Sequence, residues 1–349
     1  MRIMSQLERI IHNTEEIVTH EELTALLDEK KKPTAYIGIE PSGLVHIGSI
    51  ICIDKVKDLL DAGFKVTILL ADWHAYLNDK LGGDIENIRA CGEYIKDCFS
   101  AFSVASDDLE FVYATDLLNG IEYWEKVMRI SKHSSLSRIK RTLTIMGRKE
   151  DEANIDASML IYPAMQVADI FQLDVDVAYG GMDQRKAHML ARDVSEKLGL
   201  KKVVALHTPL LSGLQGWGRM DPIEAKMSKS NPENTIFIHD SPEDIKKKIK
   251  KAYCPEGQIE DNPIIDLCRY IIFNRLDSIT ISRPEKFGGD LEINGYEELK
   301  DVFESGQLHP QDLKNAVGQY LTDILDSVRD YFEKNPDNYE KVKTIDITR

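Results

Sequence analysis

Short apolar runs rich in β-branched residues recur along this chain, and each is followed by a stretch with helical spacing. The runs are TAYIGIE (34–40), FKVTILLA (64–71), LEFVYATD (109–116), VDVAYGG (175–181) and KKVVALHTPLL (201–211). Between them, residues 47–60, 84–102, 121–148, 158–173 and 181–200 carry apolar positions at helical spacing. Strands alternating with helices in this way predict an α/β fold with a parallel sheet and right-handed crossovers. Residues 5–30 read as charged amphipathic helix, with Leu7, Ile10, Ile11, Leu23, Leu26 and Leu27 as its apolar face. The grain changes near residue 240. SPEDIKKKIKKAYC (241–254) opens with a serine cap, a proline and two acidic residues, and the chain beyond it reads as mostly helical.

This organisation predicts two domains, residues 1–235 and 236–349, with a polar break at 149–157 and a candidate loose tail at 335–349. The chain's 349 residues and 42% hydrophobic content suffice for two cores. No apolar run reaches the roughly 18 residues of a membrane span, and the charged N-terminus has no signal core, so a cytoplasmic protein is expected. The five cysteines are scattered without a CxxC pair, which indicates neither a zinc site nor a disulfide framework. A net charge of −15 argues against a DNA-coating protein, and it restricts any RNA site to a local basic island.

Two segments carry candidate chemistry. The first is EPSGLVHIGS (40–49), where a parallel strand hands over to a helix. Helix N-terminal N–H groups can hold phosphate there, Gly43 and Gly48 allow close backbone approach, and His46 can donate to a phosphate oxygen. Alone, the segment reads equally well as an ordinary turn with a surface histidine. The second is AKMSKS (225–230), preceded by Gly213, Gly216 and Gly218. Lys226, Lys229, Ser228 and Ser230 can clamp a polyphosphate in a closing loop. Taken by itself, this segment is better explained as a solvated loop, and it is not a P-loop.

Together the two resemble the HIGH and KMSKS signatures of class I aminoacyl-tRNA synthetases. KMSKS is matched in full at 226–230, and HIGH as His46, Ile47 and Gly48, with Ser49 in place of the second histidine. YIGIEPSG, LLADWHAYLN, IYPAMQVADI, YGGMDQRK and RPEKFGGDL further resemble tyrosyl-tRNA synthetases of archaeal and eukaryotic type. The resemblance implies a Rossmann-like catalytic domain followed by a helical anticodon-binding domain, and a homodimer formed through an insertion around residues 110–160. It implies L-tyrosine, ATP with Mg2+ and tRNA(Tyr) as reactants, and no tightly bound cofactor, resident metal, membrane or DNA.

Tyr162, Gln166 and Asp169 are spaced by four and three, so they share one face of an otherwise apolar helix. Without the family, this is a polar stripe facing a neighbouring helix, and Tyr36 is a packed strand residue. With it, Tyr36 and Asp169 bind the phenolic hydroxyl. Tyr162, Gln166 and Gln184 then hold the α-amino end, and Gly38, Glu40, Leu69 and His74 line the pocket. Gly38, His46, Gly48, Ser49, Lys226, Met227, Ser228, Lys229 and Ser230 are implied for ATP, with His46, Ser49, Lys226 and Lys229 acting on the reacting phosphate. Arg141, Arg185 and Lys186 are implied at the acceptor stem, and Phe287, His309 and Asp312 at the anticodon. The alternatives are the sister tryptophan enzyme and a tRNA-binding paralogue without aminoacylation.

Overall fold

The computed structural model describes residues 5–147, 155–216, 227, 229 and 231–345. Residues 149–154 of the polar break at 149–157 and the residues Lys226, Ser228 and Ser230 therefore lie outside the described residues, as do 346–349. The chain divides into two compact units. The first comprises Met1–Gly43, Cys52–Pro209 and Asp337–Arg349, and the second comprises Leu44–Ile51 and Leu210–Pro336.

The first unit is built on a six-stranded sheet: β1 (Glu16–Val18), β2 (Thr34–Ile39), β3 (Lys65–Leu70), β4 (Leu109–Tyr113), β5 (Val177–Gly181) and β6 (Val204–Thr208). The spatial order is β1-β6-β5-β2-β3-β4. The five strands β6, β5, β2, β3 and β4 run parallel, and β1 pairs antiparallel with β6 at the edge. β3 is buried from Val66 to Leu70 because both its faces are covered, which explains its unbroken apolar run. The chain builds β3 and β4 on one side of β2, then returns to lay β5 on the other. The crevice between β2 and β5 is thus a topological switch point, where α/β sheets bind ligands at the strands' carboxyl ends.

Two helical expectations change. Residues 5–30 form two helices, α1 (Gln6–Ile11) and α2 (His20–Glu29), with β1 between them. Ser5 caps α1 in a capping box with Glu8, and Thr19 caps α2 by accepting from Glu22 N. The expected helix 121–148 is broken into α7 (Ile121–Lys132) and α8 (Leu136–Thr142), followed by a 3-10 turn at Leu143–Met146. Ser135 starts α8 by accepting from Arg138 N at 3.2 Å. The remaining helices of this unit are α3 (Gly48–Asp61) from Cys52 onward, α4 (Asp72–Leu77), α5 (Ile85–Ala101), α6 (Ala114–Leu118), α9 (Tyr162–Gln172) and α10 (Arg185–Leu198). Asn335-Pro336, read as the start of a loose tail, instead precedes a helix at Asp337–Lys343. Val342 of that helix is buried, and Asn338 donates to Asp97 of α5 at 2.9 Å.

In the second unit the 44–51 segment pairs with residues 236–238. Ile47 N donates to Ile236 O at 2.9 Å, and Ile238 N to Val45 O at 3.1 Å. The helix Pro242–Lys251 begins at Ser241, whose hydroxyl accepts from Asp244 N. Its buried Ile245 and Ile249 belong to a core shared with the long helix Pro310–Lys334. The helices Pro263–Leu267 and Tyr296–Glu304 and a two-stranded ribbon, Ile279–Ile281 with Leu291–Ile293, also belong to this unit.

Candidate active site

Asp169 is the buried centre of a polar cluster in the first unit. It lies on α9, is 1% exposed, and has both carboxylate oxygens engaged. Tyr123 of α7 donates its hydroxyl to Oδ1 at 2.7 Å. His74 of α4 places Nε2 3.0 Å from Oδ2, close enough for an ion pair though off the line of a good hydrogen bond. Burial opposes charge on His74, but the carboxylates of Asp169, Glu40 and Asp72 outweigh it and raise the ring's pKa. Asp72 fixes the start of α4 by accepting from the backbone of Trp73 and Thr115, both at 3.0 Å.

Tyr36 stands on β2 and is fully buried. Burial first, and the Asp169 carboxylate second, push its phenol well above the ordinary value. The same two causes raise Tyr123. Both therefore remain protonated donors at neutral pH. A Cβ on Gly38 would lie 3.5 Å from Tyr36 Oη, so this glycine keeps the space beside the phenol open. Leu69, on β3 and 1% exposed, belongs to the apolar cluster around Tyr36, Tyr123 and Val127.

A second polar set borders the first. Tyr162 donates to Glu40 Oε1 at 2.6 Å, and its ring meets His74 edge-on with centroids 5.0 Å apart. Asn78 donates to both Glu40 oxygens at 3.2 Å and to Met146 O at 3.1 Å. Gln166 Nε2 donates to Gln184 Oε1 at 3.0 Å, and Gln184 Nε2 to Ile145 O at 3.2 Å. These bonds fix the orientation of both amides, and they leave the buried Gln166 Oε1 without a protein partner. An unpaired buried acceptor costs about 1–3 kcal/mol, so this atom suits the N–H of a ligand. Tyr36, Gly38, Glu40, His74, Tyr162, Gln166, Asp169 and Gln184 thus gather at the carboxyl ends of β2, β3 and β5. Tyr123 and Asn78 were not singled out from sequence. Tyr123 sits in a helix whose spacing marks it only as core, and nothing in the sequence ties it to Asp169.

In the second unit, His46 and Phe237 form an antiparallel bridge. His46 Nδ1 accepts from Gly48 N at 3.1 Å, which places the ring proton on Nε2 as a donor. Ser49 N donates to His46 O at 2.9 Å. Met227 is buried, and its N–H donates to Leu211 O at 2.9 Å. Lys229 is half-buried.

The candidate RNA residues are more dispersed. Arg141 is exposed and Lys186 half-buried. Arg185 forms a bidentate pair with Glu16 of β1, with Nε to Oε2 at 2.7 Å and Nη2 to Oε1 at 2.9 Å. Glu16 also meets His207 at 3.0 Å, and His207 in turn lies 3.0 Å from the buried His188. His309 is the N-cap of Pro310–Lys334, its Nδ1 accepting from Gln311 N, and Asp312 follows in the first turn. Phe287 ends a 3-10 turn, Glu285–Phe287. Among the described residues no three His, Cys, Asp or Glu gather as a metal site, and no helix is long and apolar enough to cross a membrane.

Comparison with known proteins agrees with this arrangement. The family model described as class I tRNA synthetases (W and Y) matches residues 28–326. A tyrosine–tRNA ligase of Sulfolobus acidocaldarius is 50% identical over 361 residues and covers all of both chains. That of Saccharolobus solfataricus is 50% identical over 355 residues, covering 99% of this chain and 97% of the relative. Among solved structures, the tyrosyl-tRNA synthetase of Pyrococcus horikoshii complexed with L-tyrosine superposes with a TM-score of 0.91 at 42% identity, covering 99% of this chain and 100% of the other. The Aeropyrum pernix enzyme gives a TM-score of 0.88 at 47% identity, covering 97% and 98%. With a switch-point cluster on a mostly parallel sheet and a match running through both units, the chain belongs to the class I tRNA synthetases of the tryptophan and tyrosine family.

Proposed function

We propose that the chain is a tyrosine–tRNA ligase, which activates L-tyrosine with ATP to tyrosyl-adenylate and pyrophosphate, then passes the tyrosyl group to tRNA(Tyr). The observation that carries this reading is the buried pair of Tyr36 and Asp169. A phenol both donates and accepts one hydrogen bond, so it can give its proton to Asp169 while receiving one from Tyr36. An indole N–H only donates and would leave Tyr36 unanswered. Gln166 Oε1 is available to accept from the α-ammonium group, while the amide of Gln184 and the Tyr162–Glu40 pair shape the same end of the site.

The tyrosine carboxylate is already ionised and needs no general base. It attacks the α-phosphorus of ATP in line, and pyrophosphate leaves. The protein's part is positioning and charge stabilisation. His46, with its proton on Nε2, supplies a neutral donor to a phosphate oxygen. Lys226 and Lys229 supply positive charge, Ser49, Ser228 and Ser230 hydrogen bonds, and Gly48 a close backbone approach. Mg2+ arrives with ATP, held chiefly by its phosphates. Arg141, Arg185 and Lys186 meet the acceptor stem. The helical region after about residue 236 reads the anticodon through Phe287, His309 and Asp312.

The enzyme works as a cytoplasmic homodimer. On α7, Ile121 and Met128 are 82% and 68% exposed, with the half-covered Trp124 between them at helical spacing. Leu136, at the start of α8, is 62% exposed. Such an apolar stripe within the 110–160 region suits burial against a second copy.

The reading is tested by ATP–pyrophosphate exchange with each amino acid supplied singly. Exchange driven by tyrosine, and not by tryptophan or phenylalanine, is expected. Exchange with tryptophan alone, or with none, would overturn it.

A further inference from the structure

Asp169 is held by three different helices. It projects from α9, Tyr123 reaches its Oδ1 from α7, and His74 reaches its Oδ2 from α4. We propose that Tyr123 is a positioning residue for amino-acid selection, because its hydroxyl fixes the Asp169 carboxylate at the angle that takes a phenol and prevents it from turning away when none is present. The proposal rests on the tyrosine reading above and deepens it.

Leaving a buried acceptor empty costs its full desolvation penalty. A phenylalanine ring entering the site offers no proton to Asp169. If the carboxylate could rotate, it would find another donor and the wrong ligand would be tolerated. Tyr123 occupies one lone-pair direction on Oδ1 and the His74 ring sits 3.0 Å from Oδ2, so a hydrogen bond on one oxygen and an ion-pair contact on the other hold the carboxylate against rotation. The phenol of Tyr123 is fully buried among Val127, Met165 and Ala168, and its alternative acceptor, Met165 O, is farther away at 3.2 Å. Its proton is therefore committed to Asp169. Burial and the Asp169 charge also keep that phenol protonated.

Tyr123→Phe removes the hydroxyl and keeps the ring, so the packing of α7 on α9 survives. In tyrosine-driven and phenylalanine-driven exchange, Y123F is expected to lower the tyrosine-to-phenylalanine ratio of kcat/KM about tenfold, the lower end for a hydrogen bond to a charged group. KM for tyrosine rises by a similar factor, while kcat at saturating tyrosine stays within about twofold, since the reacting carboxylate lies at the other end of the ligand. Val127→Ala, one turn along the same helix, loosens the same core without touching Asp169. It is expected to lower thermal stability and leave the ratio unchanged. The proposal is overturned if folded Y123F keeps the parent ratio, or if V127A lowers the ratio as much as Y123F does. A parent chain without tyrosine-dependent exchange would overturn the functional reading itself, which separates that failure from this one.

Discussion

Replacing Gly48 by alanine places a methyl group against His46. A Cβ at that position would lie 2.9 Å from His46 Cε1 and 3.0 Å from Nδ1. Comfortable carbon contacts are about 3.5–4.0 Å, so the ring must retreat by roughly 0.6–1 Å. The retreat also strains the Gly48 N–H bond to Nδ1, now 3.1 Å. The next nearest atom, Leu211 Cβ at 3.6 Å, is an ordinary contact. Gly48 opens helix α3, where alanine is a better helix former by up to about 1 kcal/mol, so stability is roughly conserved. The effect falls on catalysis. A displacement of about 1 Å in a positioning group can cost ~10²-fold in rate, or about 2.7 kcal/mol at 1.36 per decade. Gly48→Ala is therefore expected to lower kcat for ATP–pyrophosphate exchange 10- to 100-fold. KM for tyrosine should stay within about twofold, and thermal unfolding should be nearly unchanged. Exchange kinetics at varied ATP and tyrosine, with a melting curve on the same protein, make the test. A stable G48A protein with parental kcat and ATP KM would refute the role given to the His46 ring.

Four further outcomes are expected. Restoring histidine at Ser49 alters ATP turnover more than tyrosine affinity, and a large loss of tyrosine affinity with unchanged ATP kinetics would contradict that. Asp176 accepts from Lys30 Nζ at 2.7 Å, Lys201 Nζ at 3.0 Å and Thr34 N at 2.8 Å, and these donors overcome its burial and lower its pKa. A depressed carboxylate stabilises the fold above its unfolded pKa of about 3.9 and loses that contribution as pH falls through the folded value, so Asp176→Asn should flatten the acid limb of a stability-versus-pH curve. His188 moves in the opposite sense, since burial first and His207 second push it down to about 3. The unfolded chain takes up a proton near pH 6.5 that the folded chain refuses, so stability falls as pH drops from about 6.5 towards 3, and His188→Gln should remove that part of the loss in urea titrations. Ile121→Lys with Met128→Lys, at exposed positions on α7, should shift the proposed dimer to monomer in light scattering while each monomer stays folded.

Much of the fold was legible because buried parallel strands and amphipathic helices write different periods into a chain. Ser241, Pro242 and the acids after it predicted a helix start that the Ser241 bond to Asp244 N carries out. The failures have local causes. β1 is three residues long and lies among polar neighbours, so its pairing with β6 leaves no period of its own. The break between α7 and α8 rests on Ser135 turning its hydroxyl to a backbone N–H, a choice that Ser134-Ser135 permits but does not compel. In the site, Tyr162, Gln166 and Asp169 were readable as one face because they share a helix. Tyr123 and Asn78 reach the same cluster from elements 46 and 38 residues away from their partners. Such contacts belong to tertiary structure, and one helix's spacing cannot announce them. Arg185 shows the converse, because its adjacency to Gln184 says nothing of the bidentate pair it makes with Glu16 on β1.

The central claim is that this chain joins tyrosine to tRNA. Its most direct test is aminoacylation: purified protein, ATP, magnesium and total tRNA are incubated with labelled tyrosine, and in parallel with labelled tryptophan, and acid-precipitable tRNA-bound label is counted. The account predicts charging by tyrosine, abolished by omitting ATP, and none by tryptophan. Charging by tryptophan instead, or tRNA binding with no tyrosine transferred, would contradict it.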